Sequence, residues 1–147
     1  MMDGVEGSGD IPDHLEVYTD GSTVGRNGKL GTVSQIGVGV WIPAIQVSIS
    51  RMEQGCSNNV AELRAMYRAL EYLKKYDGEI VIYSDSQLAV NWLNNREFSP
   101  HQHLVAEQKR LYALAEKLDV EARWIPREKN QIADALASRE EERQKLG

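Results

Sequence analysis

The stretch Glu79-Ile80-Val81-Ile82-Tyr83-Ser84-Asp85-Ser86-Gln87 decides the architecture. Ile80 to Tyr83 are consecutive apolar residues, so a strand here offers a hydrophobic side chain to each face of its sheet, and only a sheet covered on both faces satisfies it. The run ends at Ser84-Asp85-Ser86, residues that favour turns and helix caps, and a second helix follows. Asp85 therefore stands at the C-terminal end of a buried strand, where ligand sites of α/β sheets gather.

Toward the N-terminus, Val60, Leu63, Met66, Tyr67, Leu70 and Leu73 recur at three- and four-residue spacing. That period marks an amphipathic helix, with Ser57, Asn58 and Asn59 offering cap side chains and Glu62 near its start, off the apolar stripe. Before it, Val47 and Ile49 alternate with Ser48 and Ser50, and Ile36, Val38, Val40 and Ile42 alternate with Gly37, Gly39 and Trp41. Both patterns are half-buried strands, separated by Pro43. Leu15 to Ser22 adds a strand through Val17, Tyr18 and Thr19 that is expected to end in a turn at Asp20-Gly21-Ser22. Three strands this close form an antiparallel meander.

Toward the C-terminus, a helix after Pro100 carries Leu104, Val105, Leu111, Tyr112, Leu114 and Leu118, and a fifth strand spans Val120 to Ile125 and stops at Pro126. Asn130 is expected to cap a last helix bearing Ile132, Ala133, Leu136 and Ala137, with Asp134 in its first turn. The order β-β-β-α-β-α-α-β-α predicts an α/β fold, a five-stranded mixed sheet in which parallel crossovers extend the meander.

The chain has 147 residues, 41% hydrophobic and 27% charged, the mix of one ordinary domain. Residues 1–14 are polar and acidic without periodicity and are expected to be a disordered tail, leaving 15–147 as the domain. The charged run Arg139 to Lys145 reads as a fraying helix end. No run approaches the roughly 18 apolar residues of a membrane span, and no signal peptide opens the chain, so a cytoplasmic protein without membrane contact is expected. The single Cys56 excludes an internal disulfide framework and a multi-thiolate zinc site.

The net charge of −5 is unevenly placed. Residues 1–16 hold five acids and no base, so the rest carries seventeen residues of each sign. Were four of those acids gathered in a metal site, the remaining surface would be positive by about four, which suits phosphate.

Asp20, Glu62, Asp85 and Asp134 are the four candidates, since the predicted elements place each near a strand or helix end. Four carboxylates do not crowd together in protein without a counter-charge, and hard divalent cations are the usual one. Mg²⁺ or Mn²⁺ fits such a set better than zinc.

The segments Tyr18-Thr19-Asp20-Gly21-Ser22, Ser57-Asn58-Asn59-Val60-Ala61-Glu62-Leu63, Ser84-Asp85-Ser86-Gln87 and Ala133-Asp134-Ala135-Leu136-Ala137 resemble, in order and spacing, the four motifs of type 1 ribonuclease H, over roughly Leu15 to Arg139. The resemblance implies the ribonuclease H-like fold and hydrolysis of the RNA strand of an RNA/DNA hybrid by two Mg²⁺ ions about 4 Å apart, with Mn²⁺ as an alternative, giving 5′-phosphate and 3′-hydroxyl ends. By motif position Asp20 would bridge the ions, Glu62 and Asp85 complete one site and Asp134 the other. Gly21, Ser22, Ser57, Asn58, Asn59 and Gln87 match positions that meet the nucleic acid in relatives, Ser57 at a phosphate pocket, although amides at helix starts are also ordinary caps. A monomer is expected.

Two departures set the chain apart. The loop Ile125-Pro126-Arg127-Glu128-Lys129-Asn130 lacks the His that many relatives carry before the last Asp, so the chain resembles the His-lacking branch, with Arg127 as an electrostatic substitute. Asn94 to Pro100 is too short for the basic protrusion of other relatives, and Thr23 to Ser34 is longer than usual. The alternatives are a related nuclease that also cuts double-stranded RNA, a domain clipped from a reverse transcriptase, and a catalytically silent hybrid-binding module. His101 and His103 read as surface residues, because no third ligand is near in sequence. Trp41 and Trp124 read as strand packing, and Cys56 as structural.

Overall fold

The computed structural model describes residues 12–24 and 35–146, with side chains for 12–23 and 35–138. The first eleven residues of the expected tail and most of the long loop lie outside the described residues. Five strands, β1 (His14–Val24), β2 (Gln35–Ile42), β3 (Val47–Gln54), β4 (Glu79–Ser84) and β5 (Asp119–Trp124), form one sheet in the order β3-β2-β1-β4-β5. β1, β2 and β3 pair antiparallel, whereas β4 pairs parallel to both β1 and β5, which is the mixed sheet the sequence predicts. The helices are α1 (Asn58–Tyr72), α2 (Gln87–Asn95), α3 (Gln102–Ala115) and α4 (Gln131–Leu146).

β1 differs from expectation at both ends. It begins at His14, and the chain is already anchored before that, since the Asp13 carbonyl accepts from the Glu79 N–H at 2.9 Å and the Tyr76 hydroxyl donates to the Pro12 carbonyl. At its far end it does not turn at Asp20-Gly21-Ser22. Asp20 opposes Gly39 and Gly21 opposes Val38, so the antiparallel ladder with β2 carries the strand through residues whose own preference is for a turn. The fifth strand stops one residue early, and the Ile125 N–H is satisfied by the Ser84 carbonyl at 3.0 Å.

The two faces are covered by different means. Leu15 and Val17 of β1 and Ile80 and Ile82 of β4 join Leu63, Met66 and Leu70 of α1, Leu93 of α2 and Leu111 of α3 in one core, each of these side chains fully buried. Burial of a side chain this size contributes about 1.5–3 kcal/mol. α4 covers the other face, where a Cβ on Gly39 would lie 2.2 Å from the Ala133 carbonyl oxygen, so the bare backbone of β2 is what lets α4 close. Ser50 Oγ ties the same helix to β3 by donating to the Leu136 carbonyl at 2.6 Å.

Charge joins the outer elements. Arg64 of α1 reaches Glu107 of α3 at 2.7 Å and Glu53 of β3 at 2.8 Å, and Arg68 holds Glu53 at 2.8 Å. Burial pushes the Glu53 carboxyl up, but the bonds from Arg68 and Arg64 outweigh it and hold the group below the usual carboxylate range. The open edge of β5 is closed by Asn94 of α2, which accepts from the Ala122 N–H and donates to the Ala122 carbonyl, both at 2.8 Å. Cys56, expected to be structural, is exposed.

Candidate active site

β1 and β4 run parallel with Tyr18 opposite Tyr83, their rings stacked with centroids 5.1 Å apart. Asp20 and Asp85, each two residues further along, therefore stand side by side where the β1–β4 pairing ends. β4 has ended by then, whereas β1 continues along β2 alone, and this divergence opens the space that both carboxylates enter.

Glu62 arrives from the opposite side of the sheet to α4. Gly21 lies against the first turns of α1, where a Cβ would stand 2.3 Å from the Ala61 carbonyl carbon. Only glycine permits that approach, and it brings the residue after Ala61 up to Asp20. Asp20, Glu62 and Asp85 each offer a carboxylate oxygen, all within 4.8 Å of one another. Asp134, in the first turn of α4, stands outside that trio, with its carboxylate beside that of Asp20.

Asp20 is 5% exposed. Burial, the Asp85 charge and the contact with Asp134 push its carboxyl up to about 8, so the proton is retained at neutral pH unless a cation replaces it. Burial, followed by the charges of Asp20 and Asp85, drives Glu62 well above its ordinary value. Asp85 is raised by burial and by Asp134, against the opposing pull of the Arg127 guanidinium.

The donor set fits a divalent cation. All the donors are hard oxygens, and Glu62 Oε1 is buried with no hydrogen-bond partner, an arrangement that costs stability unless something positive accepts the lone pairs. Among the described residues the acidic trio is the one group with metal-ligand spacing. His101 and His103 are exposed on the surface, their rings tilted with centroids 5.9 Å apart.

The other expected site residues have definite places. Ser57 Oγ caps α1 by accepting from the Val60 N–H at 3.2 Å, with Asn58 exposed and Asn59 half-buried at the first helical positions. Gln87 is exposed at the start of α2, two residues past Asp85. Ser22 Oγ donates to the Ala137 carbonyl at 3.2 Å, and Arg127 is exposed in the 3-10 turn Arg127–Lys129. Asn130 departs from its expected role as a cap. Its buried side chain turns inward and Nδ2 donates to the Thr19 carbonyl at 2.9 Å, because the start of α4 is packed against β1 rather than open to water.

Sequence reasoning missed Trp124. Expected to pack on the sheet, it is 48% exposed and its Nε1–H donates to the Asp85 carbonyl at 3.2 Å. The signal available was its place at the end of the strand beside the one that delivers Asp85.

The RNase H family profile matches residues 12–142. Ribonuclease HI of Haemophilus influenzae is 29% identical over 144 residues, covering 88% of this chain and 90% of that protein. Among solved structures, LC11-RNase H1, isolated from compost by a metagenomic approach, superposes with a TM-score of 0.73 at 27% identity, covering 92% of this chain and 100% of that one. The same LC11-RNase H1 in complex with an RNA/DNA hybrid superposes with a TM-score of 0.70 at 27% identity, covering 85% and 94%. An acidic cluster held where β1 and β4 part, on a sheet of this topology and with that family match over most of its length, makes the chain a member of the RNase H family of nucleases.

Proposed function

We propose that the chain hydrolyses the RNA strand of RNA/DNA hybrids with the help of two divalent cations, Mg²⁺ first and Mn²⁺ as a substitute, and leaves 5′-phosphate and 3′-hydroxyl ends. The carrying observation is that Asp20, buried and raised to about 8, has Glu62 and Asp85 oxygens within 4.8 Å. Binding alone gives no reason to hold carboxylates in so costly a group, whereas metal-assisted hydrolysis requires them.

Asp20 is central in this reading, with Glu62 and Asp85 on one side of it and Asp134 on the other. These carboxylates would hold the cations, which would supply Lewis acidity toward water and the departing oxygen. The chain's own residues position the substrate. The first N–H groups of α1 and α2 have no partner within their helices and suit phosphate oxygens, with Ser57, Asn58, Asn59 and Gln87 beside them. Gly21 and Ser22 present main chain at the rim of the site to the RNA strand, and a 2′-hydroxyl there separates RNA from DNA. Arg127 contributes charge, since a guanidinium remains protonated and attracts phosphate without removing protons.

Broader selection is the second reading, and the short α2–α3 connection favours it. α2 ends at Asn95 and α3 begins at Gln102, which leaves no room for a basic protrusion to grip the DNA strand. One gel tests both readings: end-labelled RNA/DNA, RNA/RNA, DNA/DNA and single-stranded RNA with Mg²⁺, Mn²⁺ or EDTA. Metal-dependent cutting of the RNA strand in the hybrid alone is expected, cutting of double-stranded RNA as well establishes the broader reading, and hybrid binding without cutting under any metal overturns both.

A further inference from the structure

We propose that Trp124 is a positioning residue for Asp85, its indole N–H holding the turn that aims this carboxylate at the cation site. The proposal rests on the metal-dependent reading above and adds a residue from a strand that supplies none of the acids.

Asp85 is carried by a two-residue connection, Asp85-Ser86, between Ser84 at the end of β4 and Gln87, the first residue of α2. Bonds from several sides hold this connection. The Ser86 N–H donates to Ser84 Oγ at 3.0 Å, and Ser86 Oγ caps α2 by accepting from the Ala89 N–H at 3.2 Å. The Ser84 carbonyl accepts from the Ile125 N–H at 3.0 Å. The Ser86 carbonyl accepts from the Val90 N–H at 3.0 Å, and the Asp85 carbonyl accepts from Trp124 Nε1 at 3.2 Å. A peptide plane joined to a rigid ring at one end and to a capped helix at the other has little freedom to rotate, and this fixes the Cα from which the carboxylate projects.

The indole is itself well anchored. Trp124 opposes Ser84 in the parallel ladder, and two residues earlier Asn94 of α2 grips both main-chain groups of Ala122. β4, β5 and α2 thus close a ring around the turn. The ring explains why a large aromatic residue is kept 48% exposed, where burial of apolar area cannot be the main gain.

Trp124→Phe keeps a ring and removes the donor. Partners that orient metal ligands are typically worth 10–100-fold in metal affinity. Calorimetric titration with Mn²⁺ is therefore expected to show binding about 10-fold weaker in Trp124→Phe than in the unmutated protein. The half-saturating Mg²⁺ for cleavage should rise by a similar factor, while the KM for hybrid and the melting temperature without metal stay close to the original. In the unmutated protein the indole N–H resonance of Trp124 should shift on Mg²⁺ addition, a readout independent of how any variant folds. Equal Mn²⁺ affinity in Trp124→Phe, or an indole resonance that ignores Mg²⁺, overturns the proposal. Absence of both metal binding and cleavage in the unmutated protein defeats instead the functional reading beneath it.

Discussion

Asn130 Nδ2 donates to the Thr19 carbonyl at 2.9 Å, and this single buried bond fastens the start of α4 to β1 one residue before Asp20. Asp134, one turn further along α4, owes its place beside Asp20 to that attachment and to the close approach of Ala133 to Gly39.

Asn130→Ala deletes a buried donor and should lower stability by about 1–3 kcal/mol, read as a lower urea midpoint. Cleavage should fall about 10-fold or more because Asp134 loses its footing. Asn130→Asp should do worse, since it sets a carboxylate oxygen against the Thr19 carbonyl. A destabilised variant that cuts at the original rate would show that Asp134 is placed without help from Asn130.

Asp20→Asn separates stability from activity. Cleavage should vanish, as the central ligand is gone. The protein without metal should nevertheless become more stable at pH 8 by about 1 kcal/mol or more, roughly 3 °C in melting temperature, because a buried charge facing Asp85 has been removed. Substantial cutting with Mg²⁺ refutes the assignment of Asp20, and a lower melting temperature refutes the account of its repulsion.

Arg127→Ala tests the loop that stands where many relatives carry His. Turnover should drop several-fold, less than the roughly 10²–10⁴-fold lost with a general acid or base, because a guanidinium moves no proton, while Mn²⁺ binding persists. The guanidinium pulls the Asp85 carboxyl down, so its loss should also move the acidic limb of the pH–rate profile toward higher pH. An unchanged rate and profile would leave Arg127 a solvated charge.

The sequence carries the architecture through periodicity: two-residue alternation in β2 and β3, the continuous run of β4 and the helical spacing of α1 each specify their element locally. The four acids are legible through their motif order, although Asp20 lies inside β1 rather than at the strand end expected for it. What escapes is nonlocal. Nothing near Asp20-Gly21-Ser22 announces that β2 will carry β1 through a turn-prone segment, and nothing near Asn130 announces a partner 111 residues away. Trp124 is misread for the same reason: an aromatic residue in a strand normally packs on the sheet, and only the neighbouring turn of β4 gives its N–H a use.

Gly39→Ala tests whether the close approach of α4 matters. The new methyl would meet the Ala133 carbonyl oxygen at 2.2 Å, and main chain cannot yield as a side chain would. The helix must move outward, at about 1–3 kcal/mol in unfolding free energy. Since the displaced residues lie beside Asp134, activity should fall further than in a control of equal instability such as Leu111→Ala, whose side chain packs in the core on the far face. Equal losses at equal stability would mean that Asp134 tolerates the shift.

The acidic site should also make stability without metal fall as pH rises. An Asp ionises near 3.8 in the unfolded chain, whereas Asp20 in the folded protein holds its proton to about 8. Over that interval the folded state binds more protons than the unfolded one, so the stability present below about pH 4 is lost progressively up to about 8. Glu62 and Asp85, both raised, act in the same direction. Glu53 and Glu107 act oppositely, because their arginine partners hold them low and their contribution disappears only in acid. In EDTA the melting temperature should therefore peak near pH 4–5 and decline toward pH 8. Saturating Mg²⁺ should flatten that decline, and at pH 7 its binding should release about one proton, seen as a calorimetric heat that varies with the ionisation enthalpy of the buffer. A flat profile in EDTA between pH 5 and 8, together with buffer-independent heats, would mean that the acids do not crowd in solution as they do in this fold.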